Sequence, residues 1–338
     1  MHWFTASIAQ GIGRFQREFD IVPAVRFAAP LWISCLGLLV ATSNATAADA
    51  APVRFDQRSD RVIVSAGKRP LATYVFRDDK ISRPYFAHVH TPDGQQVTRH
   101  HPPRKDDSQD HATFHPGIWM AFGDLNGQDD WRLKAPVVHD RFVEPPQSGP
   151  GSGSFAVRNR YLSSGGDRTI CVETCRFKFL IRPAGYLLTW DSEFSGDADF
   201  YFGDQEEMGL GVRVATPLAV ANGGTILDNY DRKNGREVWG QQADWCDYSG
   251  ELGGHHIGML LMPHPANFRK SWFHARDYGF VAANPFGVNA FTRGEKSKII
   301  VPRGKTLRLR FGVLLHSNPR GKKPDLDAAY RDYVALTR

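Results

Sequence analysis

The chain has no second long apolar run. After Phe27–Thr42 no stretch approaches the length that a membrane span of about twenty residues requires. A multi-span membrane protein is therefore excluded for the remainder of the chain. Cysteine is scarce, at 4 in 338 residues, and no CxxC pair occurs. That rules against both a disulfide scaffold and a two-pair thiolate metal site. Basic residues are not clustered: the formal charge of +6 is spread through interspersed acids and bases, without the stripe that marks nucleic-acid binding. Helix signals are few. The clearest is Pro324–Leu336, where Leu326, Ala329, Tyr330 and Val334 follow helical spacing.

The N-terminus reads as an export leader. Arg14, Arg17 and Arg26 precede the apolar run, and Ala45-Thr46-Ala47 follows it as a small-residue cleavage site. We expect residues 1–47 to be a signal peptide and 48–338 one domain that works in the periplasm or outside the cell. Cleavage removes three arginines and two acids, so the excess charge falls by one, to about +5. Three cysteines then remain. Cys171 and Cys175, on one continuous strand, would lie roughly 13 Å apart. That is beyond the limit of about 7 Å for a bridge. Free packed thiols are expected unless a turn falls at Val172–Thr174.

Most of the chain alternates apolar and polar residues over short segments bounded by turn formers. Arg61–Ala66, Pro70–Phe76, Ser154–Tyr161, Arg176–Ile181, Tyr186–Phe194, Lys298–Pro302 and Thr306–His316 all read as strands. Pro102–Ser108 and Glu144–Gly153, the latter with PPQSGPGSG, read as loops. The expected fold is all-β: a large two-sheet sandwich with a short C-terminal helix.

Polar and aromatic residues gather in four places. Asp110-His111 through His115 to Trp119 is followed by Gly123-Asp124-Leu125-Asn126-Gly127 and Asp130-Trp131. Histidines titrate near neutral pH, aromatic faces stack on sugar rings, and Asp or Asn binds hydroxyls. Glu206-Glu207 sits on a glycine-rich stretch before Arg213; paired carboxylates can raise one another's pKa. Trp245 to Gly250 and Trp272 to Gly279, with Asn284-Pro285-Phe286-Gly287 beyond, resemble ligand-holding loops. We expect Glu207 as general base and His115 or His111 as general acid, with His274 as the alternate. Arg213, Asp247, Tyr248, Trp119, Asp124, Asn126 and Asn284 are expected to position a saccharide or glycoside.

Taken together, these pieces resemble a family of exported bacterial proteins labelled methane oxygenase PmoA family. The matching segments are Arg83-Pro84-Tyr85-Phe86, His90-Thr91-Pro92-Asp93-Gly94, Val97-Thr98-Arg99, Asp110 through Trp119, Gly123 to Gly127, Gly209 to Arg213, Asp247 to Gly250, Arg276-Asp277-Tyr278-Gly279 and Asn284-Pro285-Phe286. Where that family reads closer to Asp-His-Pro-His-His, this chain has Asp110-His111-Ala112-Thr113-Phe114-His115. A membrane oxygenase subunit needs several spans, which this chain lacks. The resemblance implies instead a galactose-mutarotase-like supersandwich and an exported carbohydrate-active protein: a glycoside hydrolase, lyase or epimerase. The alternatives are a non-catalytic glycan-binding module and a metal-dependent enzyme with a divalent ion on His111 and His115. Substrate identity and oligomeric state are left open by the sequence.

Overall fold

The computed structural model describes residues 51–338, so the expected leader 1–47 lies outside the described residues. The chain opens with five strands of steadily rising burial: β1 (Pro52–Gln57), β2 (Arg61–Ala66), β3 (Arg69–Val75), β4 (Tyr85–Ala87) and β5 (Ile118–Phe122). Four long strands follow: β6 (Val137–Pro150), β7 (Ser152–Leu162), β8 (Thr169–Arg182) and β9 (Gly185–Ser195). Then come β10 (Phe200–Phe202), β11 (Met208–Arg213), β12 (Thr225–Asp228), β13 (Gln241–Gln242), β14 (Cys246–Leu252), β15 (His255–Pro263), β16 (Trp272–Arg276), β17 (Phe280–Asn284), β18 (Ile299–Val301) and β19 (Thr306–Pro319).

Seventeen of these strands form one continuous antiparallel sheet. One half runs β13-β16-β17-β11-β5-β4-β3-β2-β1 and the other β6-β7-β8-β9-β19-β15-β14-β12. They are joined where Pro52 and Val53 of β1 pair with Pro150 and Gly149 of β6. The halves face each other across the main core. Tyr74 and Phe86 of the first each lie 5.0 Å from Phe177 of the second, and Phe122 lies 5.5 Å from Phe194. The all-β expectation therefore holds, with hydrogen bonds continuing around one edge of the sandwich.

Local sequence explains the elements. In β19, Leu309, Phe311, Val313 and Leu315 are fully buried in the main core, as their alternation requires. Leu314, on the opposite face, is buried as well, because the C-terminal helix Leu326–Leu336 covers it. Gly312 allows that approach: a Cβ there would stand 2.8 Å from the ring of Tyr333. The helix starts at Asp325, whose side chain accepts the Ala328 N–H at 2.8 Å. Cys171 and Cys175 share a face of unbroken β8, and both are buried free thiols, as is Cys246.

One expectation is corrected. Glu144–Gly153 is not a loop but the end of β6, a tight turn at Gly151 (φ +59°) and the start of β7. Register irregularities between Phe142 and Gln147 leave Pro145 and Pro146 outside the paired positions. Bulges of this kind tolerate proline because no ladder N–H is needed there.

Candidate functional site

The outer face of the first half carries its own apolar cluster: Tyr85, Ala87, Trp119, Ala121, Trp131, Phe280 and Ala282, with Val75 and Ile81. Alternation puts Ile118 and Met120 of β5 into the main core and Trp119 onto this outer face. The segment 99–117 crosses over the cluster. Two buried arginines fix it. Arg99 donates to the carbonyls of Ser108 (2.9 Å), His111 (3.1 Å) and His115 (3.1 Å), and also to that of Asp110. Arg83 donates to the carbonyls of Asp130 (2.9 Å), Trp131 (2.7 Å) and Phe114. Burial lowers both guanidinium pKa values to about 10.

A cleft of about 110 Å³ opens beside this segment. It is lined by His111, His115, His274 and Glu207, with Arg132 and an aromatic wall that includes Trp131, Tyr278 and Phe280. The four residues expected from sequence to do chemistry thus come together from separate parts of the chain. His111 and His115 stack at 4.6 Å and 8°. Tyr278 continues the column over His111 at 5.5 Å, and Phe280 and Trp119 lie under His115 at 4.5 and 4.9 Å.

His115 is 3 % exposed, and its Nδ1 is buried without a protein partner. Burial, then the neighbouring His111 and the cations of Arg213, Arg83 and Arg99, push its pKa well below 6.5. It is a neutral imidazole at neutral pH. A neutral ring is a proton acceptor, so burial favours His115 as a base over the general acid expected from sequence. His111 is more open, and its Nδ1 is held by Asp110 at 2.9 Å.

His274, on β16, is also buried, and its pKa falls to about 3 by burial and the charge of Arg276. Its Nδ1 donates to the Glu206 carbonyl at 3.3 Å, so Nε2 carries the lone pair. That lone pair stands 3.5 Å from Oε2 of Glu206. The same Oε2 accepts from the Arg276 guanidinium at 3.1 Å. Burial raises the Glu206 pKa, Arg276 opposes this and Glu207 adds to it. Of the adjacent pair, the elevated carboxyl is thus Glu206. Glu207 is paired with Arg132 at 2.8 Å.

Other expected residues are elsewhere or otherwise engaged. Arg213 is 1 % exposed and binds Asp110 with two 2.8 Å bonds, so it holds the wall rather than a ligand. Asn284 is buried; it donates to the carbonyls of Gln205 (2.7 Å) and Glu206 (3.1 Å) and accepts the Phe286 N–H at 2.8 Å. It shapes the carboxylate loop. Trp119 is fully buried beneath His115 and does not line the cleft. Asp124 and Asn126 belong to a turn: Asp124 accepts the Gly127 N–H at 3.0 Å, and the Asn126 N–H bonds the Tyr201 carbonyl at 2.7 Å. Asp247 is buried in the other half, with its carboxylate on His316 (2.8 Å) and Ser249 (2.6 Å). Tyr248 is buried and donates to the Asp277 carbonyl at 2.9 Å. None of these last four lines the cleft, and the side chains of Asp124, Asp247 and Tyr248 bond to protein partners. Among the described residues no group of three His, Cys, Asp or Glu side chains is placed to hold a metal ion. Sequence reading left out Arg132, Tyr278 and Glu206 as site residues; only their adjacency to Trp131, Gly279 and Glu207 pointed to them.

The depressed histidines set the acid stability of the fold. The unfolded chain takes up protons on them below pH 6.5 while the folded chain does not, so stability falls as pH drops through that value. For His274 the loss continues to about pH 3, and for His264, also lowered mainly by burial, to about pH 4. Melting temperature should therefore decline from pH 6.5 towards pH 4, with a shallower decline in His274→Gln. A flat profile over that range would contradict the assignment.

The model of a family of unknown function, DUF6807, matches residues 61–330. The chain belongs to that family. The match corrects the resemblance to the methane oxygenase PmoA family, since the model spanning these same motifs is the DUF6807 one. Among curated proteins none matches. Similar solved structures include a GalM/aldose epimerase homologue from C. elegans, at 11 % identity over 80 % of this chain and 99 % of that one, TM-score 0.34. A galactose mutarotase-like protein from Lactobacillus casei aligns at 10 % identity over 78 % and 100 %, TM-score 0.41. A mutarotase homologue from Salmonella typhimurium aligns at 13 % identity over 79 % and 94 %, TM-score 0.36. At such scores the chain courses differ too much for these likenesses to carry an argument about substrate or chemistry.

Proposed function

We propose that this DUF6807 member is a carbohydrate-active enzyme that performs acid–base chemistry on one ring of a saccharide seated in the cleft. The observation that carries this reading is the convergence of three histidines and Glu207 on one aromatic-walled hollow. Neutral His115, beside His111, takes a proton. The Glu206 carboxyl beside His274, its pKa raised by burial, is the acid in this reading. Glu207, paired with Arg132, accepts bonds from ring hydroxyls, and the aromatic wall takes the apolar ring face. Hydrolysis, elimination and epimerisation all need such a base and acid at one ring.

The test is turnover of neutral and acidic oligosaccharides, and of their keto-sugar derivatives, followed by product mass and NMR. Wild type should form product, and Glu207→Gln should raise KM more than it lowers kcat. A sugar-induced thermal shift in wild type with no product from any substrate would make the protein a glycan-binding module instead.

We also propose export, on the strength of the basic, apolar, Ala-x-Ala order of residues 14–47. The described thiols suit an oxidising compartment because burial keeps their pKa values high and the sulfurs unreactive. N-terminal sequencing of protein recovered from outside the cytoplasm should read Ala48 first; a retained Met1 would refute this.

A further inference from the structure

The wall formed by residues 111–115 has two sides. His111, Phe114 and His115 line the cleft, while Ala112 and Thr113 line a second hollow of about 600 Å³. Tyr85 and Ala87, which line that hollow, belong to the same outer-face apolar cluster as Trp119 and Trp131 beneath the cleft. The two cavities are therefore neighbours on one face of the first half. They differ in capacity: small-molecule pockets usually measure roughly 300–1,000 Å³. The second hollow falls within that range and the cleft well below it.

We propose that the second hollow binds further units of the same saccharide, so that the substrate is an uncharged oligosaccharide gripped on both sides of the 111–115 wall. This rests on the carbohydrate reading above and adds chain length and charge to it.

The lining supports an uncharged, hydroxyl-rich occupant. Its ionic groups balance in number: Asp60, Asp78 and Asp79 against Arg61, Arg77 and Lys80. Arg61 is paired with Asp60, and Arg77 donates to the Ser59 carbonyl at 3.0 Å. Asp78 accepts the Tyr85 hydroxyl and the Lys80 N–H, both at 2.7 Å, and the Ile81 N–H at 3.0 Å. Asp79 and Lys80 are adjacent, exposed and opposite in sign. The lining therefore carries no excess positive charge to favour a phosphate or carboxylate. What remains is a pair of imidazoles, His88 and His101. Burial lowers both, His101 to about 4, so each presents one donor and one acceptor to a hydroxyl. The Nδ1 of His101 is buried without a protein partner, and its ring stands edge-on to Tyr85 at 5.3 Å. His88 adopts a left-handed backbone conformation (φ +49°), which turns the chain at the edge of this hollow.

The experiment is an array of immobilised neutral glucans, mannans, galactans and xylans from one to six units, with uronic and sulfated oligosaccharides alongside. It is probed with wild type, Ala112→Trp and Thr113→Trp, each checked by thermal melt. Neither position belongs to the acid–base groups, and both are part-exposed, so the indole can fill the hollow. Wild type should bind chains of two or more units at least tenfold better than single sugars. Either substitution should erase that gain and leave single-sugar binding intact. Equal binding at every length, a gain that survives in either variant that melts like wild type, or preference for acidic chains would overturn the inference while leaving the cleft's proposed chemistry standing. No binding of any saccharide would end both.

Discussion

Replacing His115 by alanine should lower kcat roughly 100- to 10,000-fold, the range that a positioned acid or base contributes. The ring is the only cleft imidazole that is nearly enclosed, stacked on both faces and left with a buried Nδ1 that no protein group occupies. Its environment gives a second, independent signature. A base whose pKa lies well below 6.5 stays deprotonated into acid, so the acid limb of the wild-type kcat/KM profile should fall below pH 6.5. The opposite limb reports loss of the proton on the Glu206 carboxyl. Because the Glu206 pKa is raised, that limb should lie above the ordinary glutamate range. Profiles from pH 3 to 9 for wild type, His115→Ala and Glu206→Gln would decide. An acid limb at or above pH 6.5, or activity within threefold of wild type in His115→Ala, would remove His115 from the mechanism. His115→Phe, which keeps the stack but not the nitrogen, separates chemistry from packing.

Removing the Asp110 carboxylate should have the largest effect on folding. Arg213 and Arg99 are each 1 % exposed and share this one anion, at 2.8 and 3.8 Å. The Asp110 side chain is itself 36 % exposed, so water can reach the site, and the cost is that of buried donors left unsatisfied, about 1–3 kcal/mol. We expect Asp110→Ala to lose stability of that order in urea unfolding and Asp110→Glu to recover part of it. A loss under 1 kcal/mol would mean that the carbonyl contacts of Arg99 and the Tyr278 ring, 4.6 Å from the Arg213 guanidinium, suffice without the carboxylate. The pair is robust to acid. Burial alone would raise the Asp110 pKa, but hydrogen bonds from Arg213 and His111 bring it to about 2, so its contribution is fully present above pH 3.8 and fades as pH falls towards 2.

The sequence was most readable where one rule acts alone. Alternation in β2, β9 and β19 reflects a strand with one face in the main core, and the C-terminal helix shows its spacing because it packs one stripe on the sheet. The end of β6 was misread because PPQSGPGSG carries turn chemistry, while bulges and an edge position make that chemistry compatible with a strand. At the site, His111, His115, His274 and Glu207 stood out because imidazoles and carboxylates there sit among tryptophans and glycine turns, the groups that acid–base chemistry on a sugar uses. Asp124, Asn126, Asp247 and Tyr248 carried the same local signal for a different reason: capping a turn and binding a sugar hydroxyl use the same side-chain groups. Arg83 and Arg99 gave no warning of their importance. Nothing in a single arginine records that it will be buried under a loop and committed to carbonyls.

The sheet order has a consequence for how the chain is made. β5, which carries Trp119 beneath His115, pairs on one side with β11, and β11 in turn with β17. Until Met208–Arg213 has emerged, the apolar Ile118–Phe122 strand has one bare hydrogen-bonding edge, and the cleft lacks Glu207, His274 and Tyr278 altogether. Contacts so far apart in sequence close slowly, and an open apolar edge is an invitation to pair with another chain. A polypeptide halted between Phe122 and Met208 would lack a complete cleft and be prone to aggregate, so a holding chaperone would matter most during that interval.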